Sequence, residues 1–139
     1  MKKLVSAILA VVLVLALSAA AYADYGIVVN RNPAGGTWAE GESAWFDVSA
    51  QYYSTLDWTF VDPCGGEHSV QEFRAIFPDV VVFGEDTTML TVGNLSSELN
   101  GWAVFCSFHS DIDNAKTSWA FFTVTDRVPA YSVNPYYGY

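Results

Sequence analysis

Few residues of this 139-residue chain have the types and spacing that chemistry requires. Its two histidines, His68 and His109, stand far apart, and neither belongs to an H-x-x-x-H pair. The two cysteines, Cys64 and Cys106, are equally separate, so the C-x-x-C spacing of a zinc site is missing. No G-x-S-x-G segment offers a nucleophile elbow. Asp111-Ile112-Asp113-Asn114 places three oxygen ligands at calcium-like spacing. Without the glycine and distant glutamate of an EF-hand loop it reads as a polar turn. Glycoside hydrolysis needs two carboxyl groups facing each other across a cleft, and a chain this short leaves little room for one. The expectation is a non-enzyme with no catalytic residue, no cofactor and no metal.

Charge narrows the partners. Fifteen acids against six bases give a net charge of −9, the wrong sign for a protein that must neutralise phosphates, so nucleic acid is excluded. With 52% apolar and only 15% charged residues, the chain is rich enough in core-forming side chains to fold. Part of that apolar content lies at the N-terminus. Met1, Lys2 and Lys3 precede an apolar run from Leu4 to Leu17, and Ala21-Tyr22-Ala23 fits the small-residue rule for signal cleavage. Residues 1–23 therefore read as a signal peptide and the product as a secreted, extracellular domain. Left uncleaved, the same run would just span a bilayer. Cleavage removes two lysines and no acid, leaving four bases, fifteen acids and a net −11, with nothing to hold the product on a membrane.

These residues must be positioned by strands. Residues 25–30, 43–51, 56–62, 80–83, 89–92, 102–108 and 118–125 alternate or run apolar over short stretches separated by turn residues. That is the pattern of an all-β two-sheet sandwich. One segment differs: Phe73, Ile76 and Phe77 repeat at helical spacing before Pro78, predicting a short inserted helix over residues 69–77. The domain spans residues 24–125. Residues 126–139, with two prolines and four tyrosines, form a Pro/Tyr-rich C-terminal tail without alternation.

Gly41-Glu42-Ser43 followed by alternating apolar positions resembles the start of strand B in immunoglobulin-like domains, and Trp58 falls where they place the core tryptophan of strand C. Asn100-Gly101-Trp102 leading to Cys106 resembles the E–F corner and strand F, and residues 120–124 resemble strand G. The chain is most similar to single immunoglobulin-like domains of secreted proteins from Gram-positive gut bacteria, which also carry a short Phe-rich helix ending in Phe-Pro. The resemblance implies an antiparallel immunoglobulin-like sandwich, a fold that hosts many functions. Val48 takes the place of the strand B cysteine and Val104 that of the corner tyrosine, so the usual bridge and corner hydrogen bond cannot form.

Cys64 and Cys106 leave two states open, a bridge or two thiols. Exported chains with an even cysteine count tend to pair them, and the closed loop is worth about 4 kcal/mol. Against this, Cys64 lies about 20 Å beyond Trp58 along an extended strand. A bridge thus requires the chain to turn back at Pro63.

Parity sorts the apolar residues. Val48, Trp58, Phe60, Trp102 and Phe122 follow the inward phase and form the expected core. Trp45, Val61, Phe105, Trp119 and Phe121 fall on outer faces, with Val61, Phe105 and Phe121 sharing one sheet face because strands C, F and G are neighbours. Such a face is covered by the chain itself, through the inserted helix or the tail, or awaits a partner. The expected function is a secreted immunoglobulin-like binding module for an extracellular protein or glycan. A carbohydrate-binding module using exposed aromatics, or a self-associating surface protein, are the alternatives. Mass spectrometry of exported material should find an N-terminus at Asp24; a product retaining Met1 contradicts the extracellular assignment.

Overall fold

The computed structural model describes residues 25–126; the signal segment and the tail from residue 127 lie outside the described residues. Among the described residues eleven strands are present: β1 (Val28–Arg31), β2 (Gly36–Ala39), β3 (Ala44–Asp47), β4 (Ser49–Gln51), β5 (Thr55–Val61), β6 (Glu67–His68), β7 (Val81–Phe83), β8 (Met89–Gly93), β9 (Ala103–His109), β10 (Asn114–Lys116) and β11 (Ala120–Thr125). A helix, α1 (Val70–Ile76), and a 3-10 turn (Ser97–Leu99) complete them. One layer has the order β2-β11-β9-β5-β6, with β10 also on β9. The other contains β3-β8-β7, with β4 pairing β1.

The stretch expected as one strand over residues 43–51 is two. β3 pairs β8 through Asp47 opposite Met89, the Val48 amide then donates to the Thr88 carbonyl at 2.9 Å, and β4 changes partner to β1. Alternation hides this break because Val48 stays buried, keeping the inward phase across it. β2 lies between the strands expected over residues 25–30 and 43–51, just after the turn residues Asn32, Pro33 and Gly35. It pairs in parallel with β11, and Gly35 permits the approach: a Cβ there would stand 2.7 Å from the Phe121 carbonyl oxygen.

Trp58 faces Cys106 across β5 and β9 and is buried to 2% exposure. Its indole N–H donates to the Thr87 carbonyl at 2.8 Å, satisfying the one polar atom the ring carries inward. Phe46, Phe60, Phe122, Leu90 and Val92 fill the space between the sheets, and Val48, Trp102 and Cys106 belong to the same core. Phe46 meets Phe122 edge-to-face at 5.1 Å, and half-buried Trp38 of β2 packs against both.

Helix α1 starts where Ser69 caps it, its hydroxyl accepting from the Glu72 amide at 3.1 Å. It ends at Phe77, because the residue before a proline is pushed out of helical backbone. Its buried residues face inward. Phe73 stacks on Phe60 at 3.7 Å, and both Phe73 and Phe77 set themselves edge-on to Trp102. The helix is therefore a plug in the main core and not a cover for the outer sheet face, which corrects that expectation. The tail, the other cover expected, lies outside the described residues. Replacing Trp58 by Ala should cost about 3–5 kcal/mol, from lost apolar burial and the cavity left behind. Urea unfolding would read it; a cost below about 1 kcal/mol would contradict the placement at the sandwich centre.

Candidate interaction face

On the outer side of the β11-β9-β5 layer, the register lines up Phe121, Ala103 and Val61 in one row. The neighbouring row has Phe105 opposite Thr59. Because Cys106 faces inward, Phe105 faces outward, and the small Ala103 beside it leaves room for large rings on either flank. Val61, Ala103 and Phe105 are buried as a cluster separate from the main core.

A β-bulge completes the face. β10 and β9 pair with Lys116 opposite Ser107, whereas β11 and β9 pair with Ala120 opposite Val104, so the last strand carries one extra residue between them. Thr117 holds the irregularity in place: its hydroxyl accepts from the Cys106 amide at 3.0 Å, while its own amide donates to the Cys106 carbonyl at 2.9 Å. The extra residue brings Lys116 and Trp119 to the same side. Trp119 lies parallel to Phe105 at 6.4 Å, and the Lys116 ammonium sits 5.2 Å from the centre of the Phe105 ring, a cation–π contact. Phe105 is thus a floor, at 2% exposure, and not a bare ring. Above it, Trp119 and Phe121 stand side by side at 6.1 Å and are 46% and 53% exposed.

Trp45 does not join them. It projects from β3, in the opposite layer, at 64% exposure. Thr91 separates it from Phe83, both being paired to that residue from either side. Exposed Phe83, Met89 and Val81 accompany it on this second outer face. Their own strands show the signal that finds them: Phe83 and Met89 are out of phase with buried Val82 and Leu90. Lys116 gave no such signal, because the bulge that aims it contains no glycine.

The two cysteines are free, so the bridge left open is absent. The chain does turn at Pro63, but it turns within its own sheet. Asp62 accepts from the Cys64 and Gly66 amides at 2.9 Å each, and β6 then folds back on Phe60 and Val61. Cys64 is left exposed at the edge while Cys106 lies between the layers. Burial, with the nearby negative charge of Asp57, pushes the Cys106 thiol up to about 12, so it stays protonated and unreactive.

Both histidines are held by acceptors on each ring nitrogen. His68 donates from Nε2 to Asp62 at 2.8 Å, with Glu72 3.3 Å from Nδ1. His109 donates to Asn114 from Nδ1 at 2.7 Å and to Asp57 from Nε2 at 2.8 Å. The Asp62 hydrogen bond raises the pKa of His68, and the bonds to Asn114 and Asp57 raise that of His109. The His68 bond, aided by the Gly66 amide, lowers Asp62. In the 111–114 turn, Asp113 accepts from the Ile27 amide at 2.8 Å and the Asn114 amide at 2.9 Å, a structural role. Among the described residues no three His, Cys, Asp or Glu side chains cluster to hold a metal ion.

Two β layers face to face, a parallel pairing of β2 with the last strand, β11, and a tryptophan packed opposite the strand F cysteine define an immunoglobulin-like sandwich. No protein-family model matches the chain, and no curated protein matches it in sequence. Solved structures do. The chain is similar to the first domain of Duf (Kirre), with a TM-score of 0.54 and 16% identity, over 74% of this chain and 100% of that one. The tandem immunoglobulin repeats of Dlar match at a TM-score of 0.53 and 12% identity, over 73% of this chain and 49% of theirs. Titin domains Z1Z2, solved with telethonin, match at 0.54 and 14%, over 74% of this chain and 49% of theirs. The chain spans about half the length of the Dlar and titin chains. At these identities the likeness is one of fold.

The paired histidines set a pH dependence. A raised folded pKa means that each imidazolium contributes stability below its unfolded value near 6.5 and loses it as pH rises through the folded value. Asp62, lowered, acts oppositely: its contribution is present above its unfolded value and lost as pH falls through the folded one. Urea midpoints should therefore fall between about pH 5.5 and pH 8.5. In the His68→Gln, His109→Gln double variant that fall should shrink; an unchanged fall would place its origin elsewhere.

Proposed function

We propose that this chain is an exported, non-catalytic binding domain that meets an extracellular protein or glycan through the outer face of β11, β9 and β5. The observation that carries this reading is the pair Trp119 and Phe121, half exposed on a buried floor of Phe105, Val61 and Ala103. Large rings left in water each forgo about 1.5–3 kcal/mol of burial, which a partner recovers. The floor keeps the rings ordered before binding, so little conformational freedom is lost on association. Lys116, over Phe105, and the hydrogen-bonded Asp57 and His109 farther along β5 and β9 supply a polar rim, the usual surround of an apolar interface centre. Export follows from the basic, apolar and small-residue zones of residues 1–23.

A second reading, self-association, is favoured by one further observation. Apolar rings stand on both outer faces of one sandwich, Trp119 and Phe121 on one side and Trp45 and Phe83 on the other. Two unlike patches on opposite sides are what head-to-tail assembly requires. A sugar-stacking role for Trp45 or Trp119 is the third.

Trp119→Ala and Phe121→Ser touch exposed rings and should leave the fold intact. Capture of a partner from the native habitat should survive Trp45→Ala and fall at least about thirtyfold with either of the other two, as for a loss of about 2 kcal/mol at an interface hot spot. Capture indifferent to both would reject this face. Glycan binding lost with Trp45→Ala would favour the sugar reading, and sedimentation showing concentration-dependent assembly lost with Phe121→Ser would favour self-association.

A further inference from the structure

The outer face continues beyond its aromatic rings into a polar row. Asp57, Ser107 and Lys116 stand side by side in register on β5, β9 and β10, a row about 10 Å long at the usual strand spacing. All three project outward. Ser107 follows inward Cys106, Asp57 reaches the His109 ring, and Lys116 lies over Phe105. Two residues back along β9, about 7 Å away, Phe105 lies between Trp119 and Thr59.

Ser107 is the anomaly of this row. It is only 6% exposed, yet among the described residues none hydrogen-bonds its hydroxyl. A hydroxyl so nearly buried ordinarily finds its partner within the fold. Its neighbours also have capacity to spare. His109, itself held by Asn114, donates to Asp57 Oδ2 and so fixes the carboxylate, while Oδ1 has no partner among the described residues. No described carboxylate pairs with Lys116, and the Thr59 hydroxyl and Trp119 indole N–H likewise lack a described partner. The set therefore holds an acceptor, two donors and two hydroxyls that do both, beside half-exposed rings.

That mixture selects the partner. In a protein interface the polar rim stays in water, which leaves a serine recessed between the longer Asp57 and Lys116 unmet. A sugar answers both halves of the face at once. Its C–H side lies on an aromatic ring, while each hydroxyl at its edge both gives and accepts a hydrogen bond. One carboxylate and one ammonium leave the row neutral, and a net charge of −9 turns away acidic sugars.

We propose that this face binds a neutral hexopyranoside with an apolar C–H side, of the β-linked gluco or galacto type. One unit lies on Trp119 with its hydroxyls on Ser107, Asp57 and Thr59, and the next reaches Phe121, 6.1 Å from Trp119. This rests on the reading of the β11-β9-β5 face as the binding surface and narrows its partner to a saccharide.

The test is titration of the purified protein with cellobiose and with lactose, followed by amide NMR shifts, with sorbitol as a polyol that lacks the ring. Saturable binding of either disaccharide is expected, with shifts centred on residues 57–59, 105–107 and 116–121. Sorbitol should bind at least about tenfold more weakly. Ser107→Ala should weaken disaccharide binding about fivefold, as for one lost hydrogen bond, without lowering the urea midpoint. Trp119→Ala should weaken it at least about tenfold, while Trp45→Ala, on the opposite layer, leaves it unchanged. Failure of both disaccharides to saturate, equal affinity for sorbitol, or an unaffected Ser107→Ala would overturn the proposal. If a protein is then captured through Phe121, the binding face stands and the saccharide alone falls. If no ligand depends on Trp119 or Phe121, both fall.

Discussion

The register of β5 against β9 is the constraint on which the rest of the molecule depends. Trp58 opposite Cys106 puts those two residues between the layers. Because side chains alternate, it puts Thr59, Val61, Ala103 and Phe105 on the other side. A slip of one residue would expose Trp58 and bury Phe105 in its place, inverting core and surface together. The pairing runs unbroken from Thr55 to Val61, which makes it the longest ladder in the fold and the reference for every other strand. Absence of the inter-sheet disulfide gives this register more to do. Val48 stands where such domains place a cysteine, so cohesion between the layers rests on packed rings such as Phe46, Phe60 and Phe122 and on the helix that closes the core with Phe73.

Function enters where that regularity is broken. The extra residue between Lys116 and Ala120 turns an ordinary last strand into one that delivers a cation and an indole to the same outward ring. Thr117 makes the break affordable by hydrogen-bonding both backbone groups of Cys106 that an unbulged strand would have met. The result is a face with a rigid, buried centre and two half-exposed rings. That is the combination expected of a preorganised contact surface and not of a loose apolar patch.

Much of the fold was legible because its physics is local. Alternation in residues 120–124 passes directly into burial, with Ala120, Phe122 and Val124 inside and Phe121 and Thr123 outside. The helix was legible for the same reason, its apolar spacing bounded by Ser69 and Pro78. What stayed hidden depends on distant partners. β2 follows directly on the turn-like stretch Asn32-Pro33-Ala34-Gly35 and is too short to show alternation, and it becomes a strand because β11 lies beside it. The direction of the turn at Pro63 depends on Asp62 and on where β6 finds room, which is why cysteine count was a poor guide to pairing. The burial of Phe105 depends on a bulge without a sequence mark and on Lys116, eleven residues away.

The account stands most directly on which rings Phe105 touches, and a nuclear Overhauser spectrum of the folded protein reads this. Cross-peaks from Phe105 to Trp119 and to the Lys116 side chain, with none to Trp58 or Phe122, are the predicted result. Cross-peaks from Phe105 to Trp58 or Phe122 would place it between the layers, and both the outer face and the register that creates it would be contradicted.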